Sequence, residues 1–124
     1  MGTHALIACR NERNDVQVTY CHYDGYLEGA GKSLYDNFDN REDARTITNI
    51  GYLSALYDSM DENVDKSLHA NTEKPTYYDS IETMLKHIKT DFYVEYVYWF
   101  EDEEWHYLDV YSKKSGTLEE YFNC

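Results

Sequence analysis

Apolar and polar positions alternate along this chain in two rhythms, and the change from one to the other divides it into elements. His4 to Cys9 is an apolar run of strand length, followed by the polar cluster Asn11-Glu12-Arg13-Asn14-Asp15 and by Val16 to Tyr23, which is rich in β-branched and aromatic residues. Two such runs around a short turn cluster predict a β-hairpin. With its loop centred near Arg13, cross-strand partners sum to about 26, so Ala8 pairs with Val18, Leu6 with Tyr20 and His4 with His22, all on one face.

Asp24-Gly25 ends the second run, and the period then lengthens. Leu27, Ala30, Leu34 and Phe38 recur at helical spacing, with Gly29 and Gly31 allowing a close approach. Asn40 is a good N-cap for a second helix from Arg41 to Ile50, striped by Ala44, Ile47 and Ile50 and closed by Gly51. Tyr52 to Met60 fits neither rhythm cleanly, and Asp61 to Pro75 reads as a polar loop. Helical spacing returns through Tyr77, Ile81, Leu85 and Ile88, which predicts a helix over Thr76 to Lys89 starting at Thr76 or Asp79.

The short period resumes with Phe92 to Phe100, crosses the acidic stretch Glu101 to Glu104, and continues from Trp105 to Tyr111. This is a second hairpin with an acidic turn. Ser115-Gly116 is expected to break it, leaving Thr117 to Phe122 as a terminal helical turn. The order predicts an α+β fold: an antiparallel sheet from an N-terminal and a C-terminal β-hairpin, with about three helices packed on one face. No linker or repeat divides residues 1–124, so the expectation is one acidic domain.

Charge changes the picture more than length does. The 124 residues carry 24 Asp+Glu against 11 Lys+Arg, a formal net charge of −13. Residues 1–51 have a net charge of −3 and residues 52–124 a net charge of −10, so the excess follows the second half. Such a surface repels phosphate backbones and anionic headgroups, which argues against direct nucleic-acid or membrane binding and favours basic partners. No run approaches the roughly 18 apolar residues of a membrane span, and the N-terminus lacks the pattern of a signal peptide. Cys9, Cys21 and Cys124 are an odd number without CxxC spacing, which fits a reducing, cytoplasmic setting.

The densest set of reactive side chains is Tyr20-Cys21-His22-Tyr23-Asp24-Gly25-Tyr26. In the register above, His4 faces His22 with Asp24 next along, and two imidazoles about 5 Å apart plus a carboxylate suit a structural zinc ion. Glu28, His69 or a cysteine would complete it; otherwise these are sheet residues bonded to backbone or tyrosine hydroxyls. A Cys-His nucleophile is disfavoured, because neighbours such as Cys21 and His22 on a strand point to opposite faces. Gly29-Ala30-Gly31-Lys32-Ser33 ends like a phosphate loop, but Tyr26 stands where its first glycine belongs. No catalytic residue is expected. Glu95, Glu101, Asp102, Glu103, Glu104 and Asp109, with Asp91 and the terminal pair Glu119-Glu120, among Tyr93, Tyr107 and Tyr111, instead form a candidate surface that mimics a phosphate array, with Tyr adding contact area at small entropic cost.

The block Tyr20 to Tyr26 with Glu28, Gly31 and Lys32 resembles a family of small uncharacterised proteins found in bacteriophages and prophages. The likeness extends through Leu34 to Phe38, Gly51-Tyr52-Leu53-Ser54-Ala55-Leu56 and Tyr96-Val97-Tyr98-Trp99-Phe100 with Trp105. His4 stands where such proteins often have arginine, and Leu27 where they often have proline, so a His4 metal site does not carry over. The resemblance implies a viral accessory protein acting in the cytoplasm of an infected bacterium. By analogy, its expected role is that of an anti-CRISPR-type inhibitor binding a basic host protein such as a CRISPR effector nuclease. The alternative is a small-ligand module sequestering a host immune nucleotide, with His22, Asp24, Tyr26 and Lys32 about its pocket and Arg10 or Arg13 as further cations.

Overall fold

A computed structural model of the chain describes residues 3–64, 74–91 and 94–123. Strands β1 (Ala5–Arg10) and β2 (Val16–Cys21) form the first hairpin. Their pairs are Leu6 with Tyr20 and Ala8 with Val18, as the alternation predicts. The loop is closed by Asn11, whose Oδ1 accepts from the backbone N–H groups of Arg13 and Asp15, both at 3.0 Å, while Asn14 takes a positive φ of 66°. Short polar side chains tolerate both demands.

After β2 the chain makes a π-helical turn, Leu27–Gly31, that runs directly into α1 (Lys32–Asn37). Close approach explains both glycines there. A Cβ on Gly29 would lie 2.5 Å from the Asp24 carbonyl oxygen, and one on Gly31 would lie 3.2 Å from the Tyr98 ring. Helix α2 (Arg41–Thr48) begins at Asn40, whose side chain accepts from the Asp43 N–H at 2.9 Å, and Gly51 turns the chain at φ 97°. Strand β3 (Tyr52–Leu53) then lies parallel to β2.

Strand β4 (Thr76–Tyr78) pairs antiparallel with β2, so the expected helix over Thr76 to Lys89 starts later, as α3 (Ile81–Asp91). Ser80 starts it by accepting from the Thr83 N–H at 3.0 Å. Thr76-Tyr77-Tyr78 are good strand formers beside the available edge of β2.

Strands β5 (Tyr96–Glu101) and β6 (Glu104–Asp109) form the second hairpin, and β7 (Lys114–Thr117) adds an edge strand through Ser115-Gly116, where a break was expected. Helix α4 (Leu118–Asn123) closes the described chain. Thr117 and Glu120 form its capping box: the Thr117 hydroxyl accepts from the Glu120 N–H and Glu120 Oε1 accepts from the Thr117 N–H, each at 3.1 Å.

The fold is α+β, but the sheet is mixed, which corrects the antiparallel expectation. Its order is β3-β2-β1-β5-β6-β7, with β4 also on β2, and β1 runs parallel to β5 at its centre. Both hairpins are antiparallel, and the helices between them provide the crossover that a parallel pair requires. Helices also cover both faces rather than one. Ala5, Ile7, Cys9, Tyr98, Phe100 and Trp105 pack with Leu34, Ala44, Ile47 and Leu118 from the helices on one side. Leu6, Ala8, Val16, Val18 and Val97 pack against Met84 and Ile88 of α3 on the other. No helix among the described residues is long and apolar enough to cross a membrane.

Candidate functional site

The block around His22 forms an aromatic cluster. His4 and His22 do meet, with ring centroids 4.7 Å apart, and Tyr20, Tyr23 and Tyr52 have their rings within 4.4 to 6.3 Å of His22. His4 Nδ1 lies 2.6 Å from the His22 carbonyl oxygen, so one of its two nitrogens is used on backbone. Asp24 is exposed and adopts a φ of 59°. Among the described residues, the ligand atoms of His4, His22 and Asp24 do not all lie within 4.8 Å of one another. His69, Tyr93 and Cys124 lie outside the described residues.

The ligand atoms that do converge are at the tip of the second hairpin. Glu101, Asp102 and His106 each offer one within 4.8 Å of the others. The set is chemically suited to a divalent cation. It arises from the strand pairing: His106 lies opposite Trp99 and stacks on it at 5.6 Å, beside the tip, where Glu101 and Glu104 are paired. The intervening Asp102 and Glu103 have φ of 55° and 64°, a two-residue turn with both central residues left-handed.

The remaining candidate acids do not share one patch. Glu95 accepts from the His4 backbone N–H at 2.6 Å, and Asp109 accepts from the Tyr111 and Ser112 N–H groups at 3.2 Å, so both organise backbone at the end of the hairpin away from the tip. Glu103 forms an ion pair with Arg41 of α2. Glu104 and Glu119, expected on one surface, both lie near Asp39, which the sequence did not join to them. Asp39, just beyond α1, has its carboxyl raised above the ordinary value by partial burial and by the carboxylates of Glu119 on α4 and Glu104 on β6.

Tyrosines lie throughout this face. Tyr35 donates to Glu119, and Tyr121 donates to Glu28 at 2.5 Å. The latter bond, which favours the protonated phenol, and then burial push Tyr121 up to about 12. Tyr107 packs edge-on to Tyr121 with centroids 5.7 Å apart. The face is held at its centre by Trp105, which is 1% exposed and donates from Nε1 to the Phe38 carbonyl at 3.0 Å. That bond fixes the end of α1 and so sets Asp39 beside Glu104.

Lys32 pairs with Asp36 at 3.3 Å and sits over the Phe122 ring, while Ser33 donates to Asp58 at 2.8 Å, so neither side chain is arranged as in a phosphate loop. Burial pushes the Cys9 thiol up to about 11 and the Cys21 thiol up to about 12, which keeps both protonated at neutral pH. No protein-family model, curated protein or solved structure matches the chain.

Proposed function

We propose that the protein is a non-enzymatic inhibitor that occupies a basic nucleic-acid groove of a host defence enzyme, with an RNA-guided CRISPR nuclease as the target class. The observation that carries this reading is the electrostatic coupling of Asp39, Glu104 and Glu119 across α1, β6 and α4. A carboxylate that is partly desolvated and stands near two others is a costly arrangement in the free protein. Arginines and lysines that hold a phosphate backbone would relieve it. Tyr35, Tyr107 and Tyr121 add aromatic contact area to the same face, as at many protein interfaces. The bacteriophage-like block supplies the context, and the charge supplies the chemistry.

The test is competition. Purified protein is titrated into a guide-loaded nuclease, and target-DNA loading is measured at low and high salt. Loading should fall, the effect should weaken with salt, and the triple variant D39N/E104Q/E119Q should inhibit at least ~10-fold less well, about 1.4 kcal/mol. Absence of a salt-sensitive complex across representative nucleases, or full inhibition by the triple variant, would sink the proposal.

A further inference from the structure

Arginine is scarce in this chain, and its four copies, Arg10, Arg13, Arg41 and Arg45, gather at one end of the molecule. All of them line two adjoining clefts where the β1–β2 loop meets α2. The larger, of about 530 Å³, is lined by Asn11, Arg13, Gln17, Arg45, Asn49 and Tyr77, with Glu12 and Thr46. The smaller, of about 300 Å³, is lined by Arg10, Arg41, Arg45 and Phe100, together with the tip acids Glu101 and Asp102. Asn11 and Arg45 belong to both. Volumes of this size are those of small-molecule sites. Four guanidinium groups gather here in a protein whose net charge is −13; Glu12, Glu101 and Asp102 share the lining, and Glu103 pairs with Arg41.

The walls are built, and part of their hydrogen-bonding capacity is unspent. Gln17 is 4% exposed and donates to the Arg45 carbonyl at 2.9 Å and to the Thr48 hydroxyl at 2.8 Å, which fixes α2 against the sheet. Arg45 uses Nε on the Arg10 carbonyl at 3.0 Å, which orients its guanidinium and leaves the two terminal nitrogens. Arg10 is held by the Asn14 and Asp79 carbonyls at 2.7 and 3.3 Å. Arg13 has no side-chain partner among the described residues, and its loop is fixed by the Asn11 side chain. Tyr77, 45% exposed, stands beside Gln17 in the β2–β4 pairing and offers an aromatic surface at the mouth of the larger cleft.

We infer that these joined clefts bind a nucleoside phosphate, with the phosphates on Arg45, Arg41 and Arg13 and the base against Tyr77. Guanidinium groups match phosphate oxygens in pairs, and one exposed aromatic ring suffices to stack a base. The site is separate from the acid and tyrosine face, shares no residue with it, and stands whether or not that face binds a nuclease.

Isothermal titration of the full chain with ADP, inorganic pyrophosphate and adenosine tests this. ADP should bind saturably, adenosine should not, and Arg13→Gln and Arg45→Gln should each weaken ADP by ~10-fold. Tyr77→Ala should weaken ADP but leave pyrophosphate unchanged. Melting curves confirm that each variant is folded; if Arg45→Gln fails to fold, Arg13→Gln and Arg41→Gln decide. No saturable heat with ADP at millimolar concentration, or equal affinity in wild type, Arg13→Gln and Arg41→Gln, overturns the site. Pyrophosphate binding as tightly as ADP, with no effect of Tyr77→Ala, overturns the nucleoside assignment.

Discussion

The two ends of β1's neighbourhood solve the problem of charge in opposite ways. Around α1, β6 and α4, carboxylates accumulate and several take tyrosine hydroxyls as partners: Tyr35 and Tyr121 donate to Glu119 and Glu28, while burial and the carboxylates of Glu119 and Glu104 raise the Asp39 carboxyl. Around the β1–β2 loop and α2, guanidinium groups accumulate and their consorts are backbone carbonyls, as with Arg10 and Arg45. A carbonyl or a hydroxyl orients a charged group without cancelling its charge. Each region therefore holds some of its charged groups oriented but not cancelled. The Arg41–Glu103 ion pair is where the two signs meet.

The regions also differ in how they are attached to the sheet, and the largest predicted effects test that difference. The acidic face depends on apolar packing about Trp105, which stacks edge-on to Phe100 with centroids 5.3 Å apart. Trp105→Ala should cost about 3–5 kcal/mol, read from the urea midpoint at unchanged slope. The arginine end depends on buried polar contacts. Thr19 is 0% exposed, reaches the Ile47 and Thr48 carbonyls at 3.0 and 2.8 Å, and accepts from the Gly51 N–H at 3.0 Å. Thr19→Val keeps the shape and strands those groups, for about 1–3 kcal/mol. If Thr19→Val proves neutral, α2 is held by its apolar stripe alone and the contrast fails.

What the sequence made legible was local. The register of the first hairpin follows from alternation and a turn centre, and the start of α2 follows from the capping chemistry of Asn40. Thr76 to Tyr78 was misread because Tyr77 fits a helical stripe with Ile81 and Leu85 as well as it fits a strand, and only the edge of β2 decides between them. The parallel pairing of β1 with β5 leaves no periodic trace, since it joins segments 91 residues apart in register, Ala5 with Tyr96. The site followed the same rule. Counting charge by position placed the acid after residue 51, yet Asp39 and Glu28 come from the balanced half and join Glu104 and Glu119 only when α1 and α4 pack. Of the arginines, the sequence offered Arg10 and Arg13 as cations; their convergence with Arg41 and Arg45 needs the docking of α2 on the hairpin.

A smaller effect is expected where the two regions touch. Glu103 holds a left-handed φ of 64° in the tip turn, which costs a side chain roughly 1 kcal/mol that glycine avoids. Its pair with Arg41 is exposed and contributes about 0–1 kcal/mol. Glu103→Gln loses the pair and keeps the strain, whereas Glu103→Gly loses both. The glycine variant should therefore be the more stable of the two by about 1 kcal/mol in urea unfolding. Both should bind ADP more tightly than wild type, because Arg41 is released to the cleft. Equal stability of the two variants would mean that the turn relaxes without glycine; unchanged ADP affinity would detach Arg41 from the site.

The smallest effect separates mutual repulsion from burial on the acidic face. Asp39 has a folded proton affinity raised above its ordinary value of 3.8, by burial first and then by Glu119 and Glu104. A raised carboxyl favours the fold when protonated, so its contribution is best below about pH 4 and is lost as pH rises through the folded value; above that the carboxylate is a net cost. Asp39→Asn should then match wild type in acid and exceed it at neutral pH by a few tenths of a kcal/mol, the scale of exposed charge interactions. High salt shortens the Debye length from about 10 Å at 0.1 M to about 3 Å at 1 M. It should therefore remove the share of this gap that comes from Glu119 and Glu104 and leave the share that comes from burial. A gap that ignores salt would make Asp39 a buried group rather than a repelled one, and the face would lose the stored repulsion that a basic partner is proposed to relieve.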